Sequence, residues 1–228
     1  MFKNWTRADI IFYIASMTLF VVTGIIFKAL FISFLVSVVG VTAGFMNMKA
    51  NKYCYILYVV QVALYAYVSW QNKFIGEAIL SAFYLLPLYT YSAFKWIRKK
   101  DAESDFQIFS ITKNLLIILG IAGIVVTIGY GFVLQSLQSN LPFLNAFASF
   151  ISIAAGYLSS RRIKEQWYFW ITSSIIFSII WISTLGNDTS QITLIVQNVP
   201  YMILNIMGLV KWNKLYIQNQ ESSLLPKN

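Results

Sequence analysis

Residues 34–44, FLVSVVGVTAG, and residues 150–156, FISIAAG, are two versions of one apolar phrase, ending at Gly44 and Gly156. Each runs into a basic loop, with Lys49 and Lys52 in the first and Arg161, Arg162 and Lys164 in the second. Beyond each loop come two more apolar runs, a proline (Pro87, Pro200) and a Lys-Trp pair, Lys95-Trp96 and Lys211-Trp212. From glycine to tryptophan is 52 residues in the first copy and 56 in the second. Self-similarity on this scale is the mark of a duplicated unit. Three runs per copy is an odd number, which would leave the second copy inverted across a membrane. The additional run at 115–135 restores a parallel arrangement.

A helix crossing the roughly 30 Å hydrocarbon core of a bilayer needs about 20 mostly apolar residues. Eight such runs can be read, at 10–27, 29–48, 53–70, 75–94, 115–135, 141–158, 167–185 and 192–210. The first two are divided only by Lys28, while Asn51, Asn72, Asn187 and Asn219 fall between or beyond runs. The expected fold is therefore an all-α integral membrane protein of about eight transmembrane helices. Its organisation is an extra amino-terminal helix (1–28), a three-helix repeat (29–100), a linker loop and connecting helix (101–140), a second three-helix repeat (141–215) and a cytoplasmic tail (216–228). The composition agrees: 58% of the 228 residues are hydrophobic and only 11% charged, against about one-quarter charged in soluble domains.

Lys and Arg accumulate in cytoplasmic loops. With eight spans, alternate connections gather 15 of the 17 basic residues on one side, leaving Lys28 and Lys73 on the other. This sorting places both termini in the cytoplasm and explains the net charge of +9 as topology rather than as a nucleic-acid footprint. The protein is expected in the cell (plasma or inner) membrane. The charged start and apolar run of residues 1–27 resemble the beginning of a signal peptide, but no A-x-A site follows, so the run reads as an uncleaved first span.

The second copy continues with Glu165-Gln166-Trp167-Tyr168-Phe169-Trp170, and the first ends in Tyr91-Ser92-Ala93-Phe94-Lys95-Trp96. These stretches resemble the E-N-W-L-x-W and Y-G-W-Y-x-W motifs of the PnuC-type vitamin transporters, over roughly residues 34–215. The 3+1+3 plan is shared with a small set of transporters that includes the sugar-conducting SWEET proteins. The resemblance implies a facilitator for nicotinamide riboside or a related (deoxy)nucleoside, often a homotrimer, whose cargo is trapped by a cytoplasmic kinase. It also marks departures. Family members taking nicotinamide riboside carry glutamine where this chain has Ala82, while Ser92 and Ala93 replace a glycine and a tryptophan. Gln61 and Ser174 stand where asparagines are usual. These changes leave thiamine or another vitamin, and a sugar, as alternative cargoes.

A nucleoside offers a flat base and a hydroxylated sugar, so its site needs aromatic plates and amide or hydroxyl groups. Base-on-aromatic stacking is worth about 1–3 kcal/mol. The candidates within the spans are Gln61, Tyr65, Tyr84, Tyr91, Trp167, Trp170, Ser174, Gln197, Asn198, Tyr201 and Asn205. Gln197, Tyr201, Asn205 and Gly208 recur at helical spacing and form one stripe; Gln61 and Tyr65 are four apart in the same way. Amides within spans also bind helices to one another. Trp96 and Trp212, beside basic residues at helix ends, read as interface anchors. Gly44, Gly156 and Gly208 read as close-packing positions, and Pro87 and Pro200 as bends.

Histidine is absent and the single cysteine is Cys54. No metal, cofactor or catalytic residue is expected, because no base, nucleophile or metal cluster is gathered. Pumps coupled to an ion usually bury a carboxylate or histidine at mid-membrane. The eight acids of this chain all fall at or beyond span boundaries, so the expectation is facilitated diffusion. A substrate-capture subunit serving an energised partner is the rival reading.

Overall fold

The computed structural model describes residues 5–26, 31–71, 75–98, 107–139, 141–184 and 192–224. In chain order the helices are α1 (Arg7–Ile26), α2 (Phe31–Met48), α3 (Cys54–Gln71), α4 (Ile75–Leu80), α5 (Leu86–Arg98), α6 (Lys113–Ser136), α7 (Pro142–Ser160), α8 (Gln166–Thr184) and α9 (Ile192–Leu224). A π-helical turn, Ser81–Leu85, joins α4 to α5, so residues 75–98 are helical throughout. The described part of each of the eight expected runs lies on a helix, apart from Tyr53 and Leu141 at the starts of two of them. Lipid supplies no hydrogen bonds, so an apolar chain there must satisfy its backbone internally. Among the described residues α1, α6 and α7 are long and apolar enough to cross a membrane, and α2, α3 and α8 contain shorter apolar stretches.

The chain divides into two compact units, Met1–Phe106 and Gln107–Asn228. In the first, α1 packs on α2, α2 on α3, and α3 on α4, the π turn and α5. In the second, α6, α7, α8 and α9 pack in sequence order.

The turns from α2 to α3 and from α7 to α8 are the same structure repeated at an offset of 112 residues. Ala50 and Arg162 both take left-handed backbone, at φ 55° and 57°. The amides of Ala50 and Arg162 bond to Asn47 and Ser159 at 2.8 and 3.0 Å, and those of Asn51 and Ile163 to Met46 and Leu158 at 2.9 and 3.0 Å. This is how a helix ends when one residue reverses its hand and satisfies the last carbonyls. A residue with a Cβ in that conformation costs roughly 1–2 kcal/mol, which the two bonds offset.

Helix starts are capped by their own sequence. Thr6 and Asp9 close a reciprocal box on α1, with the Thr6 amide 2.8 Å from the Asp9 carboxylate and the Asp9 amide 3.2 Å from the Thr6 hydroxyl. The same carboxylate, 1% exposed, pairs with Lys49 at the end of α2. Trp5 stacks on Phe45 at 5.3 Å, and Tyr13 meets Phe45 edge-on while its hydroxyl lies 2.8 Å from Thr42 Oγ1. The first helix is thereby fastened to α2 by rings and charge.

Two expectations are corrected. Asn219, read as a loop residue, lies inside α9, which runs on to Leu224. At 1.5 Å per residue its 33 residues reach about 50 Å, well beyond one hydrocarbon core, so residues 216–224 of the expected tail are helical. Trp96 and Trp212, read as anchors in the interfacial belt, are both buried within the protein. A ring must be exposed at the headgroups to anchor there, and these rings instead fill space between helices. Asn72, Asn187, Lys28 and Lys73 lie outside the described residues.

Candidate functional site

In the second unit the predicted residues converge between α8 and α9. The Asn198 amide nitrogen lies 2.7 Å from the Ser174 carbonyl and 2.7 Å from Ser178 Oγ. The Asn205 amide nitrogen lies 3.2 Å from Ser174 Oγ, and both Ser174 and Asn205 are buried. A backbone carbonyl only accepts, so the Asn198 NH2 must face α8 and its Oδ1 must point away as an acceptor. One helical turn further, Gly208 lies under Trp167, which is 1% exposed and meets Trp212 edge-to-face at 5.7 Å. Trp170 and Tyr201 are half-buried on the same two helices. Gln197 lies on α9, with its side chain outside the described residues. The stripe read along α9 therefore turns its Asn205 and Gly208 portion toward α8.

In the first unit Gln61 and Tyr65 are half-buried on α3, Tyr84 is half-buried in the π turn, and Tyr91 is 61% exposed on α5 with the Lys95 ammonium 5.8 Å from its ring centre. The residues that departed from the family pattern separate here. Ser92 is fully buried and its hydroxyl is spent on the Leu88 carbonyl at 2.8 Å, and Ala93 packs against the core of the unit. Ala82 is half-buried in the π turn itself.

Three features were missed. Tyr58 stacks on Tyr89 with ring centres 4.9 Å apart and planes 20° apart; Tyr58, three residues before Gln61, continues the Gln61–Tyr65 stripe and could have been read from spacing. Ser178, the second acceptor of Asn198, follows Ser174 by four residues and was legible in the same way. Glu165 was read only as a motif acid. In the structure it ties the start of α6 to the α7–α8 turn, accepting bonds from Ser110 Oγ at 2.8 Å and the Ile111 amide at 2.9 Å. Beside it Phe109 and Ile163 form a parallel bridge, and Lys164 reaches α9 at Asn213 Oδ1, 3.1 Å away, and the ring of Tyr216. Those contacts join residues about 50 positions apart, beyond any local pattern.

A groove of about 420 Å³ between α6, α7 and α8 is bounded by apolar residues such as Leu119, Ile124, Phe147 and Phe150. None of the predicted contact residues lines it, and it offers little to replace the water on a sugar. Among the described residues no three His, Cys, Asp or Glu side chains gather as a metal site.

Comparison with known proteins adds the following. The family model described as nicotinamide mononucleotide transporter matches residues 30–214. The nicotinamide riboside transporter PnuC of Neisseria mucosa is 24% identical over 221 residues, which cover 94% of this chain and 84% of that protein. The protein of the same name from Haemophilus influenzae is 27% identical over 156 residues, covering 66% of this chain and 65% of its own. The crystal structure of a vitamin B3 transporter PnuC has the same fold, with a TM-score of 0.79 at 23% identity over 94% of each chain.

Proposed function

This chain belongs to the nicotinamide mononucleotide transporter family, and we propose that it is a facilitator for nicotinamide riboside or a closely related nucleoside. It is a multi-pass membrane protein, and its relatives are named as transporters rather than enzymes. The observation that carries the cargo reading is the family match across residues 30–214, reinforced by two relatives named for that cargo. Cargo moves down its gradient and phosphorylation inside the cell holds it there. No coupling ion is needed, since no acid in the sequence falls at mid-span. Both termini face the cytoplasm, in keeping with the segregated basic residues. Two parallel three-helix repeats joined by α6 form the scaffold, a reading supported by the shared turn at Ala50 and Arg162, and three copies assemble.

Asn198 has spent both amide hydrogens on α8, so what it offers a cargo is an acceptor oxygen. A ribose hydroxyl or a carboxamide NH2 supplies the matching donor. On α8 and α9, Trp170 and Tyr201 provide rings and Asn205 a further amide. A second reading, another riboside or thiamine, is favoured by Ala82 standing where the family's nicotinamide riboside carriers have glutamine. Uptake of labelled nicotinamide riboside, thymidine, deoxyadenosine, thiamine and glucose into proteoliposomes containing only this protein separates the readings. Equilibrating uptake of nicotinamide riboside, unaffected by pH or sodium gradients, is expected. Accumulation above the outside concentration under such a gradient would refute facilitated diffusion, and exclusive uptake of another compound would reassign the cargo.

A further inference from the structure

The π turn Ser81–Leu85 interrupts the third helical rod of the first unit. Its defining bond runs from the Leu86 amide back five residues to the Ser81 carbonyl. Pro87 follows at once. Proline has no N–H for the carbonyl four residues back, and its ring crowds that carbonyl. A turn widened by one residue beside it relieves the crowding.

Ser81 carries a second anomaly. It is 0% exposed, yet among the described residues its hydroxyl has no hydrogen-bond partner. Six hydroxyls elsewhere in these helices discharge onto the carbonyl four residues back, Ser16 onto Phe12, Thr23 onto Leu19, Thr42 onto Val38, Ser92 onto Leu88, Ser152 onto Ala148 and Ser178 onto Ser174, all between 2.7 and 2.9 Å; Thr127 on α6 shares the unpaired state of Ser81, but within a regular α-helix. Ser81 stands at the start of the π turn and makes no such bond. A buried hydroxyl left unpaired costs stability, so this state carries a local penalty that an alternative backbone removes.

We propose that the π turn at Ser81–Leu85 is the moving joint of the first unit, and that Ser81 is its positioning residue, unpaired in this conformation and bonded in the other. When the extra residue passes out of the turn, the rod becomes α-helical through this point. One residue of helix is a rotation of about 100° and a shift of about 1.5 Å. Ile75–Leu80 therefore turns relative to Leu86–Arg98, and α3 packs against both parts and the turn between them. Such local π turns recur at functional sites. Ala82 and Tyr84 ride on the joint, which places two residues singled out in the sequence where the rearrangement is largest. The proposal rests on the reading of this chain as a transporter, but its structural half is measurable without cargo.

The test compares wild type, Ser81→Ala and Ser81→Thr. Removing the unpaired hydroxyl stabilises this state and penalises the other. Ser81→Ala is therefore expected to raise the melting temperature by a few degrees and to slow amide exchange across residues 82–86 at least threefold. In proteoliposomes it should lower maximal uptake at least fivefold, with half-saturation within twofold of wild type. Ser81→Thr, which keeps the hydroxyl, should retain at least half the wild-type rate. Unchanged melting and exchange in Ser81→Ala would overturn the joint. So would weakened half-saturation at an unchanged maximal rate, which would make Ser81 a cargo contact instead. Failure of wild type to transport any compound, with exchange slowed as described, would count against the transport reading alone.

Discussion

A Cβ placed on Gly208 would lie 2.6 Å from the indole of Trp167, a distance no pair of carbons tolerates. In the first unit the corresponding positions hold different residues: Tyr55 stands 112 before Trp167, in one buried cluster with Trp96. Ser92, four residues before Trp96 as Gly208 is before Trp212, is accommodated there. Ser92 thus stands at the position that matches Gly208, in the unit where the counterpart of Trp167 is the smaller ring of Tyr55.

Gly208→Ala is expected to lower stability by about 1–3 kcal/mol, the ordinary cost of overpacking. Thermal unfolding in detergent measures it. Combining the change with Trp167→Leu, which empties the contested space, should recover part of the loss; strictly additive effects would show that the two residues do not share that space.

Breaking the Asp9–Lys49 pair leaves a charge in a buried setting. Asp9→Asn should cost about 3 kcal/mol, the low end for a buried pair, because Lys49 keeps 14% of its side chain exposed. The readout is release of α1 from α2, seen as faster cleavage or amide exchange over Arg7–Ile26. Equal protection in wild type and variant would show that the rings around Phe45 suffice.

At Asn198 the chemistry distinguishes two substitutions of similar size. Asp cannot donate to the Ser174 carbonyl, so Asn198→Asp sets a charge against an acceptor and should lose more than Asn198→Ala. For the alanine variant the two lost bonds imply about 1–3 kcal/mol and at least tenfold slower uptake, with the Ser174 carbonyl still held by the Ser178 hydroxyl. A ranking with alanine below aspartate would mean the amide is not anchored on α8.

Glu165 accepts two bonds, one from a hydroxyl and one from an amide. Gln can reproduce both by turning its oxygen to Ile111 and donating to Ser110, so Glu165→Gln should stay within about 1 kcal/mol of wild type. Glu165→Ala leaves the Ile111 amide unpaired and should cost about 1–3 kcal/mol. Exchange at Ile111 follows the difference directly, and equal protection in all three proteins would remove the clamp.

The cargo residues were legible as types and spacings but not as partners. Asn205 and Gly208 share a face with Tyr201 because 3.6 residues make a turn, and that face is where α9 meets α8. Trp212 illustrates the limit. A tryptophan beside a lysine at a helix end has the signature of an interfacial anchor, yet it is buried against Trp167, and α9 continues to Leu224, about four turns past the expected boundary.

What the residues determined unaided is the helical architecture. Lipid leaves an apolar stretch of about 20 residues one way to satisfy its backbone, so composition and charge spacing were enough to find each helix. The recurring glycine and basic loop announced two like units before their matching turns at Ala50 and Arg162 were seen. Only the tertiary structure decided which side chains meet: Asp9 with Lys49, Glu165 with Ser110, Asn198 with Ser174, and the unpaired hydroxyl of Ser81. These depend on how faces of separate helices are turned toward one another. A one-residue widening such as the π turn before Pro87 rotates a face by about 100°; the proline invites it, but which neighbours the rotated face meets is decided by packing.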